Sequence, residues 1–340
     1  MKLASIISDG AVFQRGQKIA VFGEGTGEFS AKFLGEERSV TANGKFCVEF
    51  SAHEAGGPYE MYVNLAGEEK IIKDIMIGEV ILLAGQSNPE LTIADTFDKD
   101  TEFLRNHNVR FYMQTRPHQD NHGSELYPER CIFNENWSEL KENEARSWSA
   151  IALHTALYFE KKLGVAVGVV AAYKGSTIIQ SFLSEKSLGN FEIEISKMRE
   201  YPLFFLWNKD SCIYHYVIEK LIPYQFGSVI WYQGESNRTL YEAAFYDKML
   251  ETLIADWRVY FQKPDLPFAI VEINDFPEPC EDGVKAIQEA LGRAVAATEN
   301  TELVVIKDLG EHALIHPRNK REVSERICAA LEKLCERFNV

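Results

Sequence analysis

Hydrophobic and polar positions follow two patterns, one after the other. Over residues 1 to about 72, short alternating runs recur at 18–22, 29–33, 46–50 and 59–64. Gly23, Gly25, Gly27, Gly35, Asn43-Gly44 and Gly56-Gly57 punctuate them. Alternation predicts half-buried strands, and their short, even spacing predicts a small β-sandwich domain over 1–72. From Asp74 onward the apolar runs are continuous: 75–84, 165–172, 228–231, 267–273 and 303–306, with a weaker one at 109–113. Runs without alternation fit strands buried on both faces of a parallel sheet. Stripes at helical spacing lie between them. Trp148, Ile151, Ala152, Ala156 and Phe159 form one, Phe245, Met249, Leu253 and Trp257 a second, Val323, Ile327, Ala330 and Leu334 a third. Strands alternating with helices predict a doubly wound, three-layer α/β domain over 73–340. In such sheets binding sites collect beyond the carboxyl ends of the strands.

Composition narrows the function. A chain of 340 residues with 46% hydrophobic positions buries a sizeable core and suits one large domain plus a small one. The 51 acidic and 36 basic residues leave a net charge of −15, a field that repels phosphate backbones, so nucleic acid is not an expected partner. No stretch approaches the roughly 18 apolar residues of a membrane span. Residues 1–10 do not read as a secretory signal. A cytoplasmic location is expected, or a secreted one if a leader has been removed. Six scattered cysteines without a C-x-x-C pair read as reduced, mostly buried thiols. The segment His118-Gln119-Asp120-Asn121-His122 offers three candidate ligands but no evident element to hold them, so neither metal nor other cofactor is expected. His53, His107, His154 and His215 are isolated.

Four strand ends carry the candidate chemistry. The first run ends in Gly85-Gln86-Ser87-Asn88-Pro89-Glu90, where Pro89 suits the first turn of a helix with Ser87 or Asn88 as its cap. A serine at such a turn stands beside unpaired backbone N–H groups able to hold an oxyanion. The second end, Tyr173-Lys174-Gly175-Ser176-Thr177, has a glycine that permits close backbone approach. The third, Trp231-Tyr232-Gln233-Gly234-Glu235-Ser236-Asn237, supplies Gln233 as a side-chain N–H donor and Glu235 as an acid. The fourth, residues 308–317, carries His312 and His316, either of which suits a base for the serine proton. Read singly, each of these segments also fits an ordinary capped turn or loop.

Their order along the chain resembles that of the SGNH hydrolases, and most closely the sialate O-acetylesterase-like carbohydrate esterases. The resemblance covers nearly the whole chain. It rests on Ser8-Asp9-Gly10-Ala11-Val12-Phe13-Gln14-Arg15, on Gly78-Glu79-Val80 leading into Gly85-Gln86-Ser87-Asn88, and on Trp231-Tyr232-Gln233-Gly234-Glu235-Ser236-Asn237. It continues in Asp256-Trp257-Arg258, Leu266-Pro267-Phe268, Asp308-Leu309-Gly310 and Ile315-His316-Pro317 with Lys320. The resemblance implies a flavodoxin-like three-layer domain. It implies Ser87 as nucleophile and His316 as general base, with the Ser87 and Gly175 N–H groups and the Gln233 side chain as oxyanion hole. Gln86, Asn88 and Glu235 are candidate substrate contacts. The implied substrate is an acetylated sugar, most simply an O-acetylated sialic acid. Acetylated xylan is an alternative, and so is a binding protein that has lost catalysis on the same scaffold.

Three positions depart from the family pattern. Pro89 replaces the usual Met, and Gly175-Ser176-Thr177 replaces Gly-Gly-Thr. Ala313 and Leu314 stand where the histidine-orienting acid is usual. Glu311, Asp308 or Glu235 is expected to supply the acid, or a backbone carbonyl holds the imidazole of a Ser–His dyad. Glu311 and the dyad are the favoured alternatives. Oligomeric state is not legible from the sequence.

Overall fold

The computed structural model describes residues 1–97, 108–114, 117–119, 126–131, 136–192, 206–276, 281–311 and 314–338. A mostly antiparallel sheet opens the chain, with Val12–Gln14 its one parallel pairing among the described residues. After a two-residue strand at Lys2–Leu3 come β1 (Val12–Gln14), β2 (Ile19–Phe33), β3 (Glu36–Phe50), β4 (Gly56–Leu65) and β5 (Glu68–Gly85). The short strands expected here are segments of longer ones. β2 and β3 form a single hairpin of two 15-residue strands, paired from Ile19↔Phe50 to Phe33↔Glu36. Gly23, Gly25 and Gly27 therefore lie inside a strand. At Gly23 a Cβ would stand 2.2 Å from the Lys2 carbonyl, so the glycine admits the Lys2–Leu3 strand rather than ending β2.

The expected boundary at 72/73 falls within β5. The first half of this strand pairs with β4, and its second half is the centre of the next sheet. That sheet adds β6 (Val109–Met113), β7 (Val167–Tyr173), β8 (Ser228–Tyr232), β9 (Phe268–Val271) and β10 (Thr301–Val304) in the parallel order β6-β7-β5-β8-β9-β10. A two-residue strand at Ser138–Glu139 pairs antiparallel with the outer side of β6, and without these two strands the order is that of a flavodoxin-like sheet. β7, β8 and β9 are buried at every residue, as their unbroken apolar runs require.

Connecting helices pack in two pairs. α2 (Ala150–Leu163) lies on α5 (Lys320–Leu334), and α3 (Leu240–Tyr260) on α4 (Glu281–Ala297). The three apolar stripes seen in the sequence fall in α2, α3 and α5, except that Trp148 precedes α2; α4 has no such stripe in the sequence reading. Its apolar positions Val284, Ile287, Leu291 and Ala294 are diluted by charges, and they are buried against α3. Among the described residues no helix is long and apolar enough to cross a membrane.

The antiparallel sheet is joined to the parallel one by more than β5. Glu79, fully buried, accepts hydrogen bonds from Arg15 Nε (2.6 Å), Gln14 Nε2 (3.1 Å) and Arg337 Nε (3.2 Å). The Tyr224 hydroxyl donates to the Val12 carbonyl, and the Trp137 indole N–H to the Ile6 carbonyl at 2.8 Å.

Candidate active site

The loop that carries Ser87 is shaped by Gly85. Its φ of 139° is accessible to glycine, and a Cβ there would lie 2.0 Å from the Tyr232 carbonyl, so only glycine lets β5 end against β8. The chain then enters a one-turn helix, α1 (Ser87–Glu90). Neither Ser87 nor Asn88 caps it, contrary to expectation. Gln86 occupies the cap position without a side-chain bond, and Ser87 is the first residue of the turn. Its hydroxyl is thereby left for another task, and its amide is one of the first N–H groups that a helix leaves unpaired.

That hydroxyl meets His316. The Ser87 Oγ lies 2.7 Å from His316 Nε2, across 229 residues of sequence. Burial holds the imidazole pKa below its ordinary value, and the positive charge of Lys320 lowers it further. At neutral pH the ring is thus a neutral acceptor facing a hydroxyl, the arrangement a general base requires. Among the described residues no carboxylate bonds the other ring nitrogen. His312 and Ala313 lie outside the described residues, as does part of the 118–122 segment.

Each acid considered as the orienting partner is engaged elsewhere. Glu311 accepts from the Arg318 backbone N–H (2.5 Å) and from its guanidinium (3.1 Å). Asp308 pairs with Arg326 at 2.5 Å, and Glu235 accepts from the side chain of Asn88. Glu311 fails as an orienting acid because the Arg318 backbone and side chain hold it within its own loop.

Two of the three expected oxyanion donors are also occupied. The Gly175 N–H donates to Glu90 Oε2 at 2.6 Å, and a Cβ on Gly175 would lie 3.6 Å from Ser87 Cβ, so Gly175 does adjoin Ser87. Gln233 turns inward: its Nε2 lies 2.9 Å from Asn237 Oδ1, 3.0 Å from the Thr177 carbonyl and 3.2 Å from Gln86 Oε1. Its amide braces three loops together instead of pointing at an acyl oxygen. Gln86, Asn88 and Glu235, expected at the substrate, are buried and bonded within the protein.

Beneath Ser87 the same side chains form a polar core. Asn88 donates to Glu235 Oε1 and to the Ile315 carbonyl (3.1 Å), and accepts from Lys320 Nζ (2.5 Å). The ammonium also stands 5.2 Å from the centre of the Tyr232 ring. Burial raises the Glu235 pKa to about 7 and lowers that of Lys320 to about 7. Sequence reasoning noticed Lys320 only as part of a motif and left Glu90 without a role. Both had a signal. A lysine opening a helix opposes the helix dipole, and Glu90 stands three residues after Ser87, on the same side of a helical turn.

The sialic acid-specific acetylesterase family model of carbohydrate esterases matches residues 78–326. The chain belongs to this family. Sialate O-acetylesterases from Homo sapiens and Pongo abelii are each 26% identical, over 305 and 299 residues respectively, covering 80% of this chain and 57% of theirs. The chain thus spans little more than half the length of those curated relatives. Among solved structures, a carbohydrate acetylesterase from Xanthomonas citri superposes with a TM-score of 0.84 at 26% identity, over 98% of this chain and 75% of that one. The match therefore includes the antiparallel sheet that the family model leaves out.

Proposed function

We propose that the protein is a serine esterase that removes O-acetyl groups from carbohydrate, with an O-acetylated sialic acid as the substrate class and Ser87 as nucleophile. The observation that carries this is the 2.7 Å contact between Ser87 Oγ and His316 Nε2 at the carboxyl edge of the parallel sheet. In this reading His316 takes the hydroxyl proton through Nε2 as Ser87 Oγ bonds the acetyl carbon. The tetrahedral oxyanion is received by the Ser87 N–H, and by the Gly175 N–H once Glu90 has moved aside. Collapse expels the sugar alkoxide, which takes the proton back from His316. Water, deprotonated by the same imidazole, then attacks the acetyl-serine and releases acetate. Family membership supports the sialic acid class, and the similarity to the Xanthomonas citri carbohydrate acetylesterase supports an acetylated sugar.

The occupied Gly175 amide favours a second reading, a sugar-binding protein without turnover. Hydrolysis of an aryl acetate by wild type and Ser87→Ala separates the two. Turnover lost in the variant supports the esterase. Equal rates in both reject Ser87 as nucleophile, and glycan binding without acetate release from acetylated sialic acid or acetylated xylan supports the binding protein.

A further inference from the structure

Glu311 and Asp308 are bonded to arginines, Glu235 accepts from Asn88 through Oε1 while its buried Oε2 meets no partner, and none of the three bonds His316, yet the imidazole stands in hydrogen-bonding register with Ser87. Something else must set that register. The residue before His316 is held through its backbone: the Ile315 carbonyl accepts from Asn88 Nδ2 at 3.1 Å. Asn88 directly follows the nucleophile, so one carboxamide joins the loop bearing the serine to the loop bearing the histidine.

The carboxamide is itself fixed from two other elements. Glu235, from the loop after β8, accepts its second N–H, and Lys320, from the first turn of α5, donates to its oxygen at 2.5 Å. The three partners also settle which end is nitrogen, because an ammonium only donates while a carboxylate and a carbonyl accept. Asn88, Glu235 and Lys320 are each 1% exposed, so solvent is not on hand to replace a lost partner, and substrate does not reach them without rearrangement. Two opposite buried charges bridged by one neutral amide are costly to assemble. A simple apolar core would serve stability at least as well. The arrangement makes sense if the amide's orientation is what the chemistry needs.

We propose that Asn88 is the positioning residue of His316: held between the Glu235 carboxylate and the Lys320 ammonium, it fixes the Ile315 carbonyl and with it the imidazole, the task an acid performs in a Ser–His–Asp triad. This rests on the Ser87–His316 esterase reading. The charged group that acts on the imidazole is Lys320 from α5, and the hydroxyl facing it is that of Ser87 from α1; the Glu311–Arg318 pair of its own loop is closed on itself. Lys320 in turn faces Glu235, Glu311 and the Tyr232 ring.

The test measures turnover per competent serine, counted by fluorophosphonate labelling, in wild type, Asn88→Ala and Lys320→Met. The His316 ring is followed by NMR of 15N-histidine protein and assigned with His316→Gln. For Asn88→Ala, kcat per labelled site is expected to fall about 10–100-fold with little change in KM, the range seen when partners that orient metal-bound histidines are removed. For Lys320→Met, loss of a facing positive charge is expected to raise the His316 pKa, moving the acidic limb of kcat/KM upward. A triple variant, Asn88→Leu with Glu235→Met and Lys320→Met, leaves no buried charge unpaired and covers the case in which Asn88→Ala does not fold. It is expected to fold and to turn over as slowly per site as Asn88→Ala. Wild-type kcat per labelled site in a folded Asn88 variant, or an unchanged His316 titration in both single variants, overturns the proposal. If wild type neither hydrolyses aryl acetate nor labels at Ser87, the esterase reading fails, and the histidine spectra still decide whether Asn88 and Lys320 govern the ring.

Discussion

The Gly175 backbone N–H donates to the Glu90 carboxylate at 2.6 Å, beside Ser87. A carboxylate on this amide competes with an acyl oxygen for the same donor and repels the negative charge that forms there. Glu90→Gln keeps the volume and removes the charge. Aryl acetate kinetics should show kcat/KM rising by about tenfold, equivalent to about 1.4 kcal/mol of barrier. A fall of similar size would instead assign Glu90 to holding the Gly175 loop in place.

Glu311 gives the opposite expectation. Its carboxylate is spent on Arg318, whose guanidinium also stacks over Phe97 at 4.6 Å. Arg318 is about half exposed, and exposed ion pairs contribute about 0–1 kcal/mol. Glu311→Gln should therefore leave kcat on aryl acetate within about twofold of wild type. A loss of several orders of magnitude, as for the buried aspartate of a serine protease triad, would restore Glu311 as the orienting acid.

The joint at Glu79 predicts how the molecule unfolds. Its carboxylate is inaccessible to water and binds side chains from the start of the chain (Gln14, Arg15) and from its end (Arg337). Removing one partner of a fully buried charge pair costs about 3–5 kcal/mol, and the Arg15 and Arg337 guanidiniums left here, on side chains 20% and 30% exposed, keep some access to water, so the lower end applies. Glu79→Ala should lose that much stability in urea unfolding followed by circular dichroism. Wild type should unfold in one transition, because β5 and this joint bind both sheets into one core. Two separated transitions in wild type would show that the sheets are independent units.

How far the sequence predicted these features depended on whether the signal was local. β7, β8 and β9 were readable because burial on both faces leaves almost no polar residue, Ser228 being an exception, and α3 because its stripe is continuous. The long β2–β3 hairpin was missed because glycines admitted by a neighbouring strand look like glycines that end one. At the site, ordered motifs paired Ser87 with His316, and the two side chains do meet. The inward turn of Gln233 and the capture of Gly175 by Glu90 were not, since hydrogen-bond partners distant in sequence leave no periodic trace. Asn88 was read as a substrate contact because its place after the nucleophile is visible in the chain while its burial is not.

The pH dependence follows from the surroundings of His316. As general base it must be neutral, and the acidic limb of kcat/KM reports its pKa in the free protein. Burial disfavours the imidazolium, and Lys320 adds like-charge repulsion, so the folded-state pKa lies below the ordinary value of 6.5. The neutral ring then persists to lower pH than a solvent-exposed histidine would allow. Aryl acetate kinetics should give a kcat/KM plateau extending below pH 6.5, falling only as protonation takes hold beneath it. The Ser–His contact is part of the same equilibrium, because a protonated Nε2 no longer accepts from Ser87. An acidic limb centred above 6.5 would mean that an unseen anion stabilises the imidazolium, and that an orienting acid approaches the ring in solution after all.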